Sequence, residues 1–228
     1  MHGQLDLPGL PAVTSKFPEA CFASISDNQR IALASANWCG TVYHGLPLHQ
    51  FGASFAAGSY LAFLGRLTAE KGPEDAIRIA LAARMPLRIA AKVRRAESGY
   101  FREKIEPQID GKQILLVGEV DDDSKQPFLP GAAALLFPIR WSEPFGLVMT
   151  EAMACGTPVI AYRSGSVPEI IEEEVTGFIV QNEDEAIEAV SRLGQIDRGR
   201  VRARFEERFT AERMARDYLR HYRALLVR

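Results

Sequence analysis

The stretch AALLFPIRWSEPFGLVMTEAMACGTPVIAY, residues 133–162, decides the fold of this chain. It begins with an apolar run at 133–137 and ends with another at 158–162, and each run has the length of a buried strand. Between them, residues 146–155 are strong helix formers, and a glycine and a proline follow that stop the helix. This order of strand, helix and strand predicts one unit of a parallel sheet covered by helices.

The same alternation runs from residue 60 onward. Strands are predicted at 60–64, 87–91, 113–117, 133–137, 158–162 and 177–180. Helices are predicted from Pro73 onward and near 98–106, 122–130, 146–155 and 182–194. Short apolar runs that alternate with helices predict an α/β fold with a doubly wound parallel sheet. Because ligands bind outside the carboxyl ends of such strands, Gly65 and the loop 138–144 are expected at the functional edge.

The first 55 residues follow a different pattern. They are rich in Gly, Pro, Ser and Asn, with a strand predicted at 21–26 and an extended piece at 41–45. A linker rich in glycine and alanine follows at 52–58. The change in pattern indicates a separate unit before the main sheet.

Two carboxylates lie across the start of the central helix, Glu143 before it and Glu151 within it. Free backbone N–H groups and the positive end of the helix dipole attract anions near Glu143. Glu151 has apolar neighbours on nearly all sides, so its carboxylate needs hydrogen-bond donors. A ribose diol would supply two donors. The alternative is a glutamate at a helix start together with a glutamate paired to an arginine.

The spacing of these glutamates, in EPFGLVMTE followed by AMACGTPVI, resembles the Glu-x7-Glu motif of retaining GT-B glycosyltransferases of family four. Further segments resemble that family in the same order: FLGRLTAEKG (63–72), GEVDDDSK (118–125), RSGSVPEII (163–171) and TGFIV (176–180). The resemblance covers the chain from about residue 60 to its end. It implies a Rossmann-like donor-binding domain at 56–228, preceded at 1–55 by a remnant of the acceptor domain and the interdomain linker.

The resemblance implies a site for a nucleoside-diphosphate sugar. Arg66 and Lys71 would neutralise the phosphates, as a guanidinium fork and a mobile point charge. Glu143 would accept hydrogen bonds from sugar hydroxyls, and Glu151 from the ribose. Taken without the resemblance, Arg66 and Lys71 also fit an ordinary surface loop.

Backbone groups complete the implied donor site. Close approach of the donor is expected at Gly65, Phe145, Gly146 and Leu147. Val120 and Lys125 are the candidates for contact with the nucleotide base, and a solvated helix start fits this segment equally well.

The implied reaction is transfer of a hexose from a UDP-linked donor, with retention of anomeric configuration, to an unknown glycan, lipid or small-molecule acceptor. It needs charge stabilisation and positioning rather than a strong protein base. No cofactor and no metal are expected, because Arg66 and Lys71 would substitute for a divalent ion. The alternative is a donor-binding module that is inactive until a partner chain supplies the acceptor domain. A nicotinamide-dependent dehydrogenase is disfavoured because no Gly-x-Gly-x-x-Gly follows a strand.

The sequence departs from the family pattern in two places. Ser166 stands where the family more often has the second glycine of Gly-Gly-x-Pro-Glu, and Glu169 is expected to cap the short helix beside it. Met1-His2-Gly3 resembles the end of a Thr-x-His-Gly segment near the reacting sugar. By that resemblance the chain is expected to begin inside the acceptor domain.

Composition indicates the kinds of partner and the compartment to expect for this protein. The 228 residues carry a formal net charge of −2, which gives no reason to expect a nucleic-acid partner. Three cysteines without a Cys-x-x-Cys pair indicate a reducing compartment, and neither a secretory signal nor a membrane span is recognisable. A cytoplasmic protein is therefore expected. The arginine-rich tail from Arg198 fits either an anionic inner membrane face or, better, a helix packed on the missing domain.

Overall fold

The computed structural model describes residues 3–120 and 127–227. Its centre is a sheet of the six strands β3 Tyr60–Leu64, β4 Leu87–Ala90, β5 Ile114–Gly118, β6 Ala132–Phe137, β7 Val159–Tyr162 and β8 Gly177–Val180, numbered after two strands of the amino-terminal segment. Every neighbouring pair in this sheet is parallel, and the order is β5-β4-β3-β6-β7-β8. The predicted α/β fold with a parallel sheet is confirmed, and each strand lies within one residue of its predicted bounds.

Helices flank this sheet. Around it lie Pro73–Ala82, Ser98–Tyr100 with helical turns to Gln108, Leu147–Ala154, Val167–Ile170, Glu183–Ser191, Arg198–Arg208 and Ala211–Leu226. Helix Pro73–Ala82 packs against Glu183–Ser191, and Leu147–Ala154 packs against Arg198–Arg208. The middle strands are buried on both faces, since side chains such as Leu61 and Leu135 are fully covered. The helix predicted near 122–130 lies mostly outside the described residues.

The strand order places a topological switch point between β3 and β6. From β3 the chain continues outward to β4 and β5, and from β6 it continues in the opposite direction to β7 and β8. The loops that leave the carboxyl ends of β3 and β6 therefore diverge and leave a crevice between them. Gly65 and the loop 138–144 flank this crevice, as the sequence predicted.

The amino-terminal segment forms a small unit of its own. Strands β1, Phe22–Ser24, and β2, Trp38–Thr41, pair in parallel, and helices Leu10–Lys16 and Asp27–Ile31 accompany them. The strand predicted at 21–26 is present but shorter. The extended piece predicted at 41–45 is misplaced, because β2 begins at Trp38, whose ring packs edge-on against Phe22.

The linker 52–58 is held against the main sheet. The backbone N–H of Ser54 donates to the carbonyl of Cys155 at 3.0 Å, and the Ser54 carbonyl accepts from the Arg198 guanidinium at 2.9 Å. Arg198 also donates to the carbonyls of Ala132 and Pro130, at 2.7 and 3.0 Å, and to the Thr157 hydroxyl at 2.9 Å. Burial lowers the pKa of Arg198. These contacts tie the linker to the amino ends of β6 and β7.

The arginine-rich tail folds back onto the amino-terminal segment. Arg213 donates to the carbonyls of Tyr43 and His44 at 2.8 and 3.0 Å, and the His221 ring closes over Gly40, where a Cβ would collide with it. The helix was expected to pack on the missing domain, whereas in the structure it packs on the chain's own amino-terminal segment. Across the described residues, the structure contains no helix that is long and apolar enough to span a membrane.

Candidate functional site

Lys71 and Glu143 meet across the switch-point crevice. Lys71 follows β3 and Glu143 follows β6, and the Lys71 Nζ lies 2.5 Å from Glu143 Oε2. Their side chains are only 17% and 13% exposed, so the pair is far less screened by water than a surface ion pair. The two residues that the sequence assigned to phosphate and sugar are thus bound to each other.

Trp141 forms a third side of this cluster. The Lys71 ammonium lies 4.7 Å from the centre of the Trp141 ring, within range of a cation–π interaction. The Trp141 carbonyl accepts from the Glu143 backbone N–H at 2.9 Å and from the Ser164 hydroxyl at 2.6 Å. One residue therefore contacts the cation and shapes the turn that bears the carboxylate.

The loop after β6 is anchored to the loop and helix after β3. Arg140 grips the fully buried carboxylate of Asp75 with two bonds of 2.7 and 2.6 Å, and its backbone N–H donates to the Glu70 carbonyl at 2.8 Å. The Asp75 carboxylate raises the pKa of Arg140. Gly72 has φ +70°, and a Cβ there would collide with the Pro138 carbonyl. The positions of Lys71 and Glu143 are therefore fixed by the framework beneath them.

Arg66 lies on the outer side of the crevice. It pairs with Glu70 at 2.8 Å, with the two side chains 44% and 42% exposed. Arg66 and Lys71, predicted together as the phosphate cations, thus engage different carboxylates.

A pocket of about 260 Å³ opens beside Arg66 at the carboxyl ends of β3, β4 and β5. Its lining includes the predicted residues Gly65, Arg66 and Val120, and also Lys92, Arg94 and Glu119. Lys92 and Glu119 form an exposed ion pair at 2.7 Å. Lys125 lies outside the described residues. Three cations and a glycine backbone around one opening suit a phosphorylated ligand.

The central helix, Leu147–Ala154, begins one residue later and ends one residue earlier than the predicted range 146–155. Gly146 precedes Leu147–Ala154 with φ +77°, a conformation that favours glycine. Phe145 is buried in the core, whereas Leu147 is 43% exposed. Because the first N–H groups of a helix have no intrahelical acceptor, this end offers donors at the crevice.

Glu151 lies one helical turn beyond Leu147. A spacing of four residues places the two side chains on the same face of the helix, and Glu151 is half-buried there. Its predicted place beside the crevice is consistent with this face, and its contact with ribose stays a prediction.

Ser166 does not disturb the loop in which the family more often has a second glycine. Its φ of −79° is open to any residue, and its buried hydroxyl donates to the Phe145 carbonyl at 2.9 Å. Its backbone N–H donates to the Glu143 carbonyl at 2.9 Å. Gly165, at φ +55°, packs so tightly on Glu143 that a Cβ would collide with its backbone. This loop therefore supports the carboxylate from behind.

Glu169 was expected to cap its own short helix, and this prediction is wrong because it caps a different helix. Its carboxylate accepts from the backbone N–H groups of Asp27 and Asn28, at 2.7 and 2.8 Å, and so caps a helix of the amino-terminal segment. The Tyr43 hydroxyl donates to the same carboxylate at 3.1 Å. Burial, and then the Glu169 charge, raise the pKa of Tyr43 to about 12.

Sequence reasoning missed three residues of this site, namely Lys92, Arg94 and Trp141. A signal was available for Lys92 and Arg94, because they directly follow the predicted strand 87–91 and so lie at the carboxyl edge. No comparable signal pointed to Trp141, because its contact with Lys71 joins positions 70 residues apart in the chain.

Comparison with known proteins places these features in a family. A family model described as "Glycosyl transferases group 1" matches residues 49–208. An uncharacterized glycosyltransferase of Methanocaldococcus jannaschii is 36% identical over 142 residues, which are 58% of this chain and 35% of that protein. A D-inositol 3-phosphate glycosyltransferase of Mycobacterium tuberculosis is 33% identical over 168 residues, or 66% of this chain and 33% of that protein. The chain thus spans about a third of the length of these relatives.

Solved structures show the same fold. AviGT4, a glycosyltransferase involved in avilamycin A biosynthesis, superposes with a TM-score of 0.76 at 24% identity, over 90% of this chain and 63% of that chain. HepE of Anabaena, solved in complex with UDP-glucose, superposes with a TM-score of 0.76 at 19% identity, over 89% of this chain and 63% of that chain.

Proposed function

Because the chain belongs to the family of group 1 glycosyl transferases, we propose that it binds a nucleoside-diphosphate sugar, a UDP-linked hexose, in the switch-point crevice. The hexose is transferred, with retention of anomeric configuration, to a glycan, lipid or small-molecule acceptor. The proposal treats residues 56–228 as the donor-binding domain and 1–55 as the end of an acceptor domain with its linker. HepE, a protein of the same fold, has been solved with UDP-glucose bound, which supports the choice of UDP.

The observation that carries the proposal is the Lys71–Glu143 pair, held at 2.5 Å between the loops after β3 and β6. A cation and an anion side by side match the junction of a nucleotide sugar, where a phosphate adjoins a ring bearing hydroxyl groups. On donor binding Lys71 would turn to the phosphate, and the Glu143 carboxylate would accept hydrogen bonds from sugar hydroxyls in place of the ammonium. Lys71 thus exchanges one anionic partner for another and Glu143 exchanges an ion pair for hydrogen bonds, so neither largely buried group is left without a polar partner.

The neighbouring pocket suits the rest of the donor. Arg66, Lys92 and Arg94 supply positive charge at its rim, and Val120 offers an apolar contact for the base. Glu151 would accept hydrogen bonds from the ribose. Arg66 and Lys71 stabilise the leaving diphosphate electrostatically, so the proposal includes no metal ion. Among residues 3–120 and 127–227, no group of three or more His, Cys, Asp or Glu side chains is arranged to hold one.

A second candidate is a donor-binding module that needs a separate acceptor domain. The part of the chain that matches the two curated relatives spans about a third of their length. A partner chain or a further segment of a longer protein would then supply the acceptor side.

Calorimetric titration with UDP, GDP, UDP-glucose and GDP-mannose, without added metal, tests the proposal. We expect saturable binding of the uridine series, and Glu151→Ala should abolish it through loss of the ribose contact. Lys112→Met, an exposed change outside the pocket, is the matched control and should leave affinity unchanged. A folded chain that binds none of the four ligands would contradict the proposal. Binding without transfer to any acceptor would favour the module.

A further inference from the structure

Trp141 combines three contacts that no role assigned so far requires. Its ring faces the Lys71 ammonium at 4.7 Å, and its carbonyl accepts from Glu143 and from Ser164. The backbone contacts would survive any substitution of the side chain, because they involve only the carbonyl. The ring contact would not. The side chain of Trp141 can therefore be tested separately from the turn that it occupies.

The indole N–H does not explain why a tryptophan occupies this position. The Trp141 Nε1 atom is buried and has no hydrogen-bond acceptor within the described ranges 3–120 and 127–227. The face of the ring, in contrast, meets a cation. Tryptophan attracts a cation more strongly than tyrosine or phenylalanine does, so the ring face is the functional part of this side chain.

Lysine needs such support more than arginine does. Its ammonium is a point charge on a flexible four-carbon stem, and holding it in one place restricts several rotatable bonds. At this site Glu143 contacts the ammonium on one side and the Trp141 ring contacts it on another. When the sugar of a donor binds Glu143, the Trp141 ring is the side chain that still contacts the Lys71 ammonium.

We propose that Trp141 is a positioning residue that holds the Lys71 ammonium in place for the donor phosphate. The ring keeps the ammonium at the crevice before and after Glu143 exchanges its partner. This inference rests on the proposed function for its ligand, but the contact itself can be measured without any ligand.

The first test uses the two tryptophans of the chain, Trp38 and Trp141. In a Trp38→Phe background, Trp141 is the only indole fluorophore. Adding Lys71→Met removes the adjacent ammonium and should change the emission intensity or wavelength of Trp141. The control Lys112→Met should leave the spectrum unchanged. An identical spectrum after Lys71→Met would overturn the positioning contact, whether or not the chain binds nucleotides.

The second test measures UDP affinity. We expect Trp141→Leu to weaken binding by about five-fold and Trp141→Phe, which keeps an aromatic face, by about two-fold. In a Lys71→Met background the Trp141→Leu change should have no further effect, because the ring would act only through the lysine. An equal loss in both backgrounds would show a general structural role and overturn the proposal. If the parent chain binds no UDP, the proposed function fails, and the fluorescence test alone decides the Lys71 contact.

Discussion

Two ion pairs formed by cations of the same loop differ sharply in environment. Arg66 and Glu70 form an open pair on the outer rim, with both side chains more than 40% exposed. Lys71 and Glu143 lie 17% and 13% exposed, with Trp141 against the ammonium. Exposed pairs contribute little to stability because water and salt screen them, whereas breaking a desolvated pair leaves a buried charge without a partner. The outer pair can release its arginine to a ligand at low cost, while the inner pair needs a replacement partner first.

The largest expected effect concerns stability. Lys71→Met should lower the free energy of unfolding by about 2 to 3 kcal/mol, because the largely buried Glu143 carboxylate would remain without its cation. Arg66→Met, the matched change in the outer pair, should lower it by less than about 1 kcal/mol. Urea unfolding of both variants measures the difference. Equal losses would mean that the two environments do not differ energetically.

UDP affinity should depend on the cations of the outer rim, Arg66 and Lys92. Arg66→Met and Lys92→Met should each weaken UDP binding about ten-fold through loss of a charge-assisted contact, with little change in stability. Calorimetry on these variants, with Lys112→Met as control, makes the comparison. Unchanged affinity in both would remove the outer pocket from the donor site.

The Tyr43 phenol, which donates to the Glu169 carboxylate, predicts how stability changes at alkaline pH. Burial and Glu169 raise the pKa of Tyr43 to about 12, above its ordinary value near 10, so folding favours the neutral phenol. The stability gained from this shift is complete below pH 10 and is lost as the pH rises from 10 to 12. Tyr43→Phe should make the fall in unfolding free energy over this window shallower by at most about 1.4 kcal/mol per pH unit. Identical slopes in urea unfolding of the two proteins would contradict the shift.

Salt should produce the smallest effect and separate the two pairs once more. Glu70→Gln should cost a few tenths of a kcal/mol at about 0.05 M salt and close to nothing at about 1 M, where charges are screened beyond about 3 Å. The loss caused by Glu143→Gln should persist at both concentrations. A loss from Glu143→Gln that disappears in 1 M salt would show that water reaches the inner pair.

The sheet was predictable because each strand is a local apolar run, and the site edge followed from the strand ends. The pairing of side chains across the site could not be predicted, because Lys71 and Glu143 are 72 positions apart and their contact depends on the conformation of two loops. The same holds for Glu169, which caps a helix 141 positions earlier in the chain. The amino-terminal segment was predicted least well because its two strands, FAS and WCGT, are mostly only partly buried and contain polar residues or glycine, so neither forms a continuous apolar run.

Arg198 has a consequence for how such a chain can vary. Its guanidinium gathers oxygen atoms from the linker and from the amino ends of β6 and β7, opposite the edge where the crevice opens. Residues that stabilise the fold around Arg198 and residues that select the ligand at the crevice therefore lie at opposite ends of the same strands. Substitutions at the carboxyl edge can alter which ligand is accepted while the linker stays fastened. The tolerance of folding stability to mutation should therefore be graded along the strands, lowest around Arg198 and highest on the outer rim near Arg66 and Lys92, where substitutions act on ligand binding instead.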